Sequence, residues 1–222
     1  MDQNVILVET VPLEFDLESL GCRLRIRPGQ TKFMDRLSRL AEEAARVARP
    51  KAVARLCGLT ILDEEKVQVG EVTFSSPLLR QKMDGLGRAF PYLASEGTEL
   101  ADWSLSLSSS LEQVSASALR EVAVQQAENL LERTLLERYG IAQVSAMNPG
   151  SLKVWSLEEQ VPLFELLAPL PEKLGVTLLP SLMMRPEYSV SGVFFQTDSK
   201  FYNCQLCPKK ECPNRRTPSL VT

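Results

Sequence analysis

The sequence has 222 residues, with 25 Lys and Arg against 28 Asp and Glu, so its net charge is -3. That is ample chain for a core, and the acidic balance argues against a nucleic-acid-binding face. There is no histidine, which excludes Ser-His-Asp and Cys-His catalysis and every His-ligated metal site. A content of 44% hydrophobic and 24% charged residues is that of an ordinary globular protein.

Val5-Ile6-Leu7-Val8 reads as a strand or edge segment, and is too short for a signal peptide or membrane span. With no export signal expected, the five cysteines read as cytosolic thiols rather than a disulfide framework, and a cytoplasmic location follows. Arg23-Leu24-Arg25-Ile26-Arg27 reads as a second short strand or edge segment before the Pro28-Gly29 break. Thr31 then caps a helix whose apolar positions, Phe33, Leu37, Leu40, Ala41, Ala44, Val47 and Ala48, recur every three or four residues, and Pro50 ends it.

Val53 to Leu62 and Val67 to Phe74 are β-rich runs around Asp63-Glu64-Glu65-Lys66, a hairpin signature. Ser76-Pro77 opens a short helix that stops near Gly85 and Gly87. Ala89 to Ala94 reads as a strand, with Gly97 in the turn after it. The longest periodic segment runs from Leu111 to Tyr139. Leu119, Ala123, Ala127, Leu130 and Thr134 form its stripe, with Val122, Leu131 and Leu135 beside it, and Gly140 supplies the C-terminal break. Its small residues suggest close approach to a sheet.

After Ile141 to Val144 comes the turn Asn148-Pro149-Gly150-Ser151. A helix is expected over Leu157 to Leu167, with Ser156 and Glu159 as a capping box, although Pro162 lies inside it. Val176 to Met184 and Val190 to Phe195 read as strands around Arg185-Pro186-Glu187. Strands and helices are interspersed rather than in regular βαβ alternation, which favours an α+β fold.

The last third carries a resemblance. Pro149-Gly150, Leu163-Phe164-Glu165-Leu166-Leu167, Gly175-Val176-Thr177-Leu178, Ser181, Met184-x-Pro186, Ser189-Val190-Ser191-Gly192 and Asp198-Ser199-Lys200-Phe201-Tyr202 follow one another in order. Phe90-Pro91-Tyr92 and Gly97-x-Glu99-Leu100 precede them. This succession resembles the activation domain of cobalamin-dependent methionine synthase, and more closely its stand-alone relatives in some anaerobic prokaryotes.

The resemblance implies an α+β fold with a twisted antiparallel sheet and packed helices. Residues 1–110 and 111–203 would be two portions of that one fold, followed by a cysteine-rich tail over 204–222. It also implies a reactivation-type protein that binds S-adenosylmethionine and docks on a corrinoid partner, a methionine synthase or other methyltransferase lacking its own activation domain. There the methyl group, with one electron from a flavodoxin-like or ferredoxin-like donor, restores methylcobalamin from cob(II)alamin. The implied binding residues are Asn148, Pro149, Gly150, Ser151, Phe201 and Tyr202. The family loop Arg-Pro-x-Pro-Gly-Tyr here reads Ala146 to Ser151, so Ala146 stands for the arginine and Ser151 for the tyrosine. Phe201 replaces the first tyrosine of the tail motif, and Arg185 is a candidate substitute for the missing cation.

Beyond that motif lies Cys204-x2-Cys207-x4-Cys212. Thiolates are the soft ligands taken by zinc and by iron–sulfur clusters. Three fall one short of a four-thiolate set, which Cys22, Cys57 or an exogenous ligand would complete. Redox thiols and unligated surface cysteines are the other readings. Lys209, Lys210, Arg215 and Arg216 surround them and would offset the charge of a thiolate cluster. The alternative function is therefore a metal-binding or Fe–S electron-transfer accessory of a corrinoid protein that has lost S-adenosylmethionine binding.

Overall fold

The computed structural model describes residues 3–209, 212, 215 and 217–220. Its organising element is strand β6 (Arg88–Ser95), whose residues after the first are all buried. One edge of β6 pairs antiparallel with β10 (Ser189–Gln196), and β10 in turn with β7 (Val144–Met147). The other edge is shared by β2 (Lys51–Arg55), which pairs near Ser95, and β3 (Cys57–Ile61), which pairs near Arg88. β1 (Val5–Val8) lies outside β2. β4 (Lys66–Val69) and β5 (Val72–Ser75) continue from β3 as successive hairpins. All these pairs are antiparallel.

The long run expected from Val53 to Leu62 is thus two strands, broken at Leu56. Ala54 pairs with Tyr92 and Cys57 with Ala89, in one continuous register. The lapse falls opposite Phe90 and Pro91, where proline has no N–H to give to a ladder. The Leu56 N–H turns instead to the Asn4 carbonyl, 2.7 Å away. Val67 to Phe74 is likewise split, because Gly70 takes φ +58 and turns the chain into a second hairpin.

Two further expectations change. The stretch from Arg23 to Arg27 is not a strand: Asp16 accepts the backbone N–H groups of Glu18 and Ser19 and starts helix α1 (Leu17–Arg23). The run from Val176 to Met184 pairs only at its ends, as β8 (Thr177–Leu178) with β9 (Met184–Arg185), a two-stranded ribbon apart from the main sheet. Pro180 and the positive φ of Leu182 bend the chain between them.

Helices cover both faces. On one lies α5 (Ser110–Tyr139), closed by Gly140 in the left-handed conformation. Its buried stripe continues from Leu119, Ala123 and Ala127 into Leu131 and Leu135, with Leu130 and Thr134 only half-buried. Ala127 meets a floor containing Ala52, Ala54 and Ala94, so small side chains on both sides let the helix sit close to the sheet. α2 (Thr31–Val47) and α4 (Thr98–Ser106) pack with α1 on the outer side of α5. On the opposite face α3 (Pro77–Lys82), α6 (Gln160–Leu167) and α7 (Leu170–Leu174) enclose a core around Trp155, Phe74 and Phe195. Ser76 caps α3 by accepting the Leu79 N–H.

The capping box at Ser156 does not form. Its hydroxyl bonds to Glu158, a 3-10 turn spans Leu157–Glu159, and Glu159 accepts the N–H of Ser75 at 3.2 Å. Among the described residues no helix is long and apolar enough to cross a membrane.

Candidate functional site

A cleft of about 200 Å³ opens where β7 and β10 end beside α5 and the chain leaves β10 for the tail. Gly192 sets its geometry. A Cβ there would lie 2.6 Å from Asn148 Nδ2 and 2.9 Å from Tyr92 Cε1, and would also collide with the Met147 carbonyl. Only glycine lets the three segments meet so closely. Tyr92 also stacks on Phe194, with ring centroids 3.9 Å apart and 16° between planes.

A chain of hydrogen bonds runs through this crossing. The Tyr92 hydroxyl donates to Glu128 Oε1 at 2.7 Å and accepts from Asn148 Nδ2 at 2.8 Å. Asn148 Nδ2 also donates to the Ser191 carbonyl at 2.9 Å, which fixes the amide's orientation because a carbonyl only accepts. Its Oδ1 therefore faces Asn203 and accepts from Asn203 Nδ2 at 3.1 Å. That leaves Asn203 Oδ1 buried with no hydrogen-bond partner among the described residues. A buried, unpaired acceptor costs roughly 1–3 kcal/mol of desolvation until a donor arrives. Glu132 stands one turn beyond Glu128 on α5 and is paired with Lys200, whose ammonium lies 5.7 Å from the Tyr202 ring centroid. Phe201 is fixed by its N–H to Ser145 Oγ, 2.7 Å, and by Lys82 over its ring at 4.8 Å.

Of the six expected binding residues, the structure brings Asn148, Phe201 and Tyr202 into the wall of this cleft. Pro149 is buried, Gly150 makes the turn at φ +76 against Leu157, and Ser151 is exposed; none of these three lines it. Gly150 donates its N–H to the Trp155 carbonyl at 2.9 Å, so the Pro-Gly turn shapes the loop. Arg185 lies in a different cleft. Tyr92, Glu128, Glu132, Lys200 and Asn203 were not among the expected binding residues, although Tyr92 and Lys200 stand in motifs that carry the resemblance. One signal was there: Glu128 and Glu132 are like charges at i and i+4, unfavourable on a helix without a compensating partner.

The tail closes over the same region. Cys204 lines the cleft and opens a short 3-10 turn, Asn203–Leu206. Arg215 folds back to donate to the carbonyls of Cys204 (3.0 Å) and Lys209, and the Leu220 N–H reaches the Gln205 carbonyl at 2.8 Å. Cys204, Cys207 and Cys212 are all half-buried free thiols. Among the described residues no three Cys, Asp or Glu side chains are grouped to hold a metal ion, so the structure shows no zinc or iron–sulfur set formed by Cys204, Cys207 and Cys212. Cys57 is far off in the core beside Gly70, and Cys22 is exposed in α1. Lys210 and Arg216 lie outside the described residues.

No protein-family model matches the chain, and no curated protein matches it. Among solved structures it is similar to the crystal structure of the MetH reactivation domain bound to AdoHcy, with a TM-score of 0.60 at 17% sequence identity. That likeness covers 89% of this chain and 80% of the other. The chain has the α+β fold of that domain, an antiparallel sheet with helices packed on both faces.

Proposed function

We propose that this chain is a reactivation-type protein that presents S-adenosylmethionine to a corrinoid methyltransferase. The observation that carries the reading is a cleft lined by two carboxylates and by Asn203, whose buried Oδ1 has no hydrogen-bond partner among the described residues. S-adenosylmethionine bears a sulfonium, an ammonium and an adenine amino group, so it brings positive charge and N–H donors. Asn203 Oδ1 takes a donor, Glu128 and Glu132 face the positive charge, and Tyr202 with Phe201 offers apolar surface. Lys200, already held by Glu132, is the cation nearest for the ligand's carboxylate, in place of the arginine absent at Ala146. When bound, the ligand supplies the methyl group; what these residues do is hold and orient it. The corrinoid partner and the electron donor belong to the same proposal.

The test is calorimetric titration of the purified chain with S-adenosylmethionine and S-adenosylhomocysteine. Wild type is expected to bind both. Asn203→Ala should weaken binding about two- to twelvefold, the worth of one hydrogen bond of roughly 0.5–1.5 kcal/mol. Absence of binding at about 1 mM ligand (a weak affinity near -4 kcal/mol) would remove the reading. A binding protein is then mixed with cob(II)alamin-loaded methyltransferase and a reductant, and loss of the paramagnetic cobalt signal is followed.

A further inference from the structure

A second cleft, of about 360 Å³, lies along α5 from the first and shares no lining residue with it. It is built where the chain reverses three times. α4 begins after Gly97, α7 ends at Gly175, and Arg185-Pro186-Glu187 turns into β10. Gly175 takes φ +72, and a Cβ on it would press on Thr98 Cγ2 at 3.3 Å, so these turns are held close together.

Four charged side chains line this space, and they largely fail to satisfy one another. Arg120 is buried, with a side chain only 10% exposed. Its Nε and Nη2 are taken by both oxygens of the fully buried Glu96, at 2.6 and 2.7 Å, and its guanidinium lies over the Tyr188 ring at 4.5 Å. Among the described residues the remaining nitrogen, Nη1, has only Glu187 as an ionic partner, at 3.9 Å with that side chain 71% exposed. Arg185 and Asp102 are exposed and make no side-chain hydrogen bond or ion pair among the described residues. Two cations and two carboxylates thus surround the cleft, with Leu105 and Ala101 as its apolar wall. Leu105 is 80% exposed, a large apolar side chain left open beside charged groups.

We infer that this cleft is a binding site for a free α-amino acid with an apolar side chain. The carboxylate bridges Arg185 and Arg120 Nη1, the ammonium sits between Asp102 and Glu187, and the side chain covers Leu105 and Ala101. Guanidinium groups suit a carboxylate because they donate paired, charge-assisted hydrogen bonds. Arg120 is already oriented by Glu96, so binding does not have to order it. A simple anion would leave Asp102 and Glu187 facing its charge, and a simple cation would leave Arg185 without a partner and Arg120 Nη1 with only the distant Glu187 among the described residues. Only a ligand carrying both signs a short distance apart matches all four. The inference does not rest on the corrinoid reading.

The test uses the full chain and titrates L-leucine and L-methionine into the 15N-labelled protein, following backbone amides. Saturable shifts are expected at Thr98, Gly175 and Glu187. The two halves of leucine, 4-methylpentanoate and 3-methylbutylamine, should each bind at least about tenfold more weakly, since each discards one charged contact worth roughly 1.4 kcal/mol or more. Arg185→Gln and Asp102→Asn, both exposed and outside the core, should each weaken leucine binding by a similar factor while leaving shifts elsewhere unchanged. No saturable shift in the cleft with either amino acid at about 10 mM would overturn the site. So would equal binding of the two halves, or binding indifferent to both substitutions.

Discussion

Cys57 shows how one side chain can set a pH dependence far from any site. Burial pushes its thiol from 9.0 up to about 11, with Arg55 pulling the other way and Glu71 adding to the rise. Between those values the unfolded thiol loses its proton while the folded one keeps it, so the unfolded state binds fewer protons and stability falls as pH rises. Urea unfolding measured at about pH 8 and about pH 10.5 should show that loss, and Cys57→Ala should flatten this part of the slope. The same burial explains why Cys57 is poorly suited to complete a thiolate set with the tail. At this scale the sequence revealed part of the cleft. Asn148, Phe201 and Tyr202 stand in segments with recognisable order. The meeting of Tyr92, Glu128, Asn148 and Asn203 became visible only through bonds spanning 36, 56 and 55 residues of chain. No local pattern signals such bonds.

Between elements, the strongest polar tie is the one from β6 to α5 through Glu96 and Arg120. Burial raises the Glu96 carboxyl, while hydrogen bonding and charge from Arg120 work against that rise. Removing one partner strands the other in the core. Arg120→Met should therefore destabilise the fold by about 3–5 kcal/mol near neutral pH. The remaining carboxyl must then be protonated in the folded state, so the variant should lose more stability as pH rises above the ordinary carboxylate range. Thermal melts from acid to neutral pH check this: a loss independent of pH would mean packing, not charge, sets the effect. Elements with strong periodicity were legible, as α2, α5, β6 and β10 appear where alternation or 3.6-residue spacing places them. α4 was missed because Thr98–Ser106 follows a glycine turn and has only a weak apolar stripe. The division of β2 from β3 was hidden because its cause, Pro91, lies on another strand.

For the whole molecule, the α+β class was readable from interspersed strands and helices, but the order of strands in the sheet was not. That order depends on which edges meet, and β6 unites segments from across the chain: β2 on one side and β10, 94 residues further along at the paired Ser95 and Ser189, on the other. A fragment of residues 1–110 would keep β6 without β10 or most of α5. It should show no cooperative unfolding by circular dichroism; a sharp, two-state melt of that fragment would disprove this dependence. The arrangement also fixes a sequence of events during synthesis. β6 is complete at Ser95, yet its second neighbour is not finished until Gln196. At about 5–20 residues per second, the ribosome needs roughly 5–20 s to make the intervening chain. Throughout that interval a strand buried on both faces in the finished protein has one edge unpaired, open to other chains. α5 emerges meanwhile and covers one face but not that edge, so the nascent chain is a natural client for a chaperone until β10 arrives.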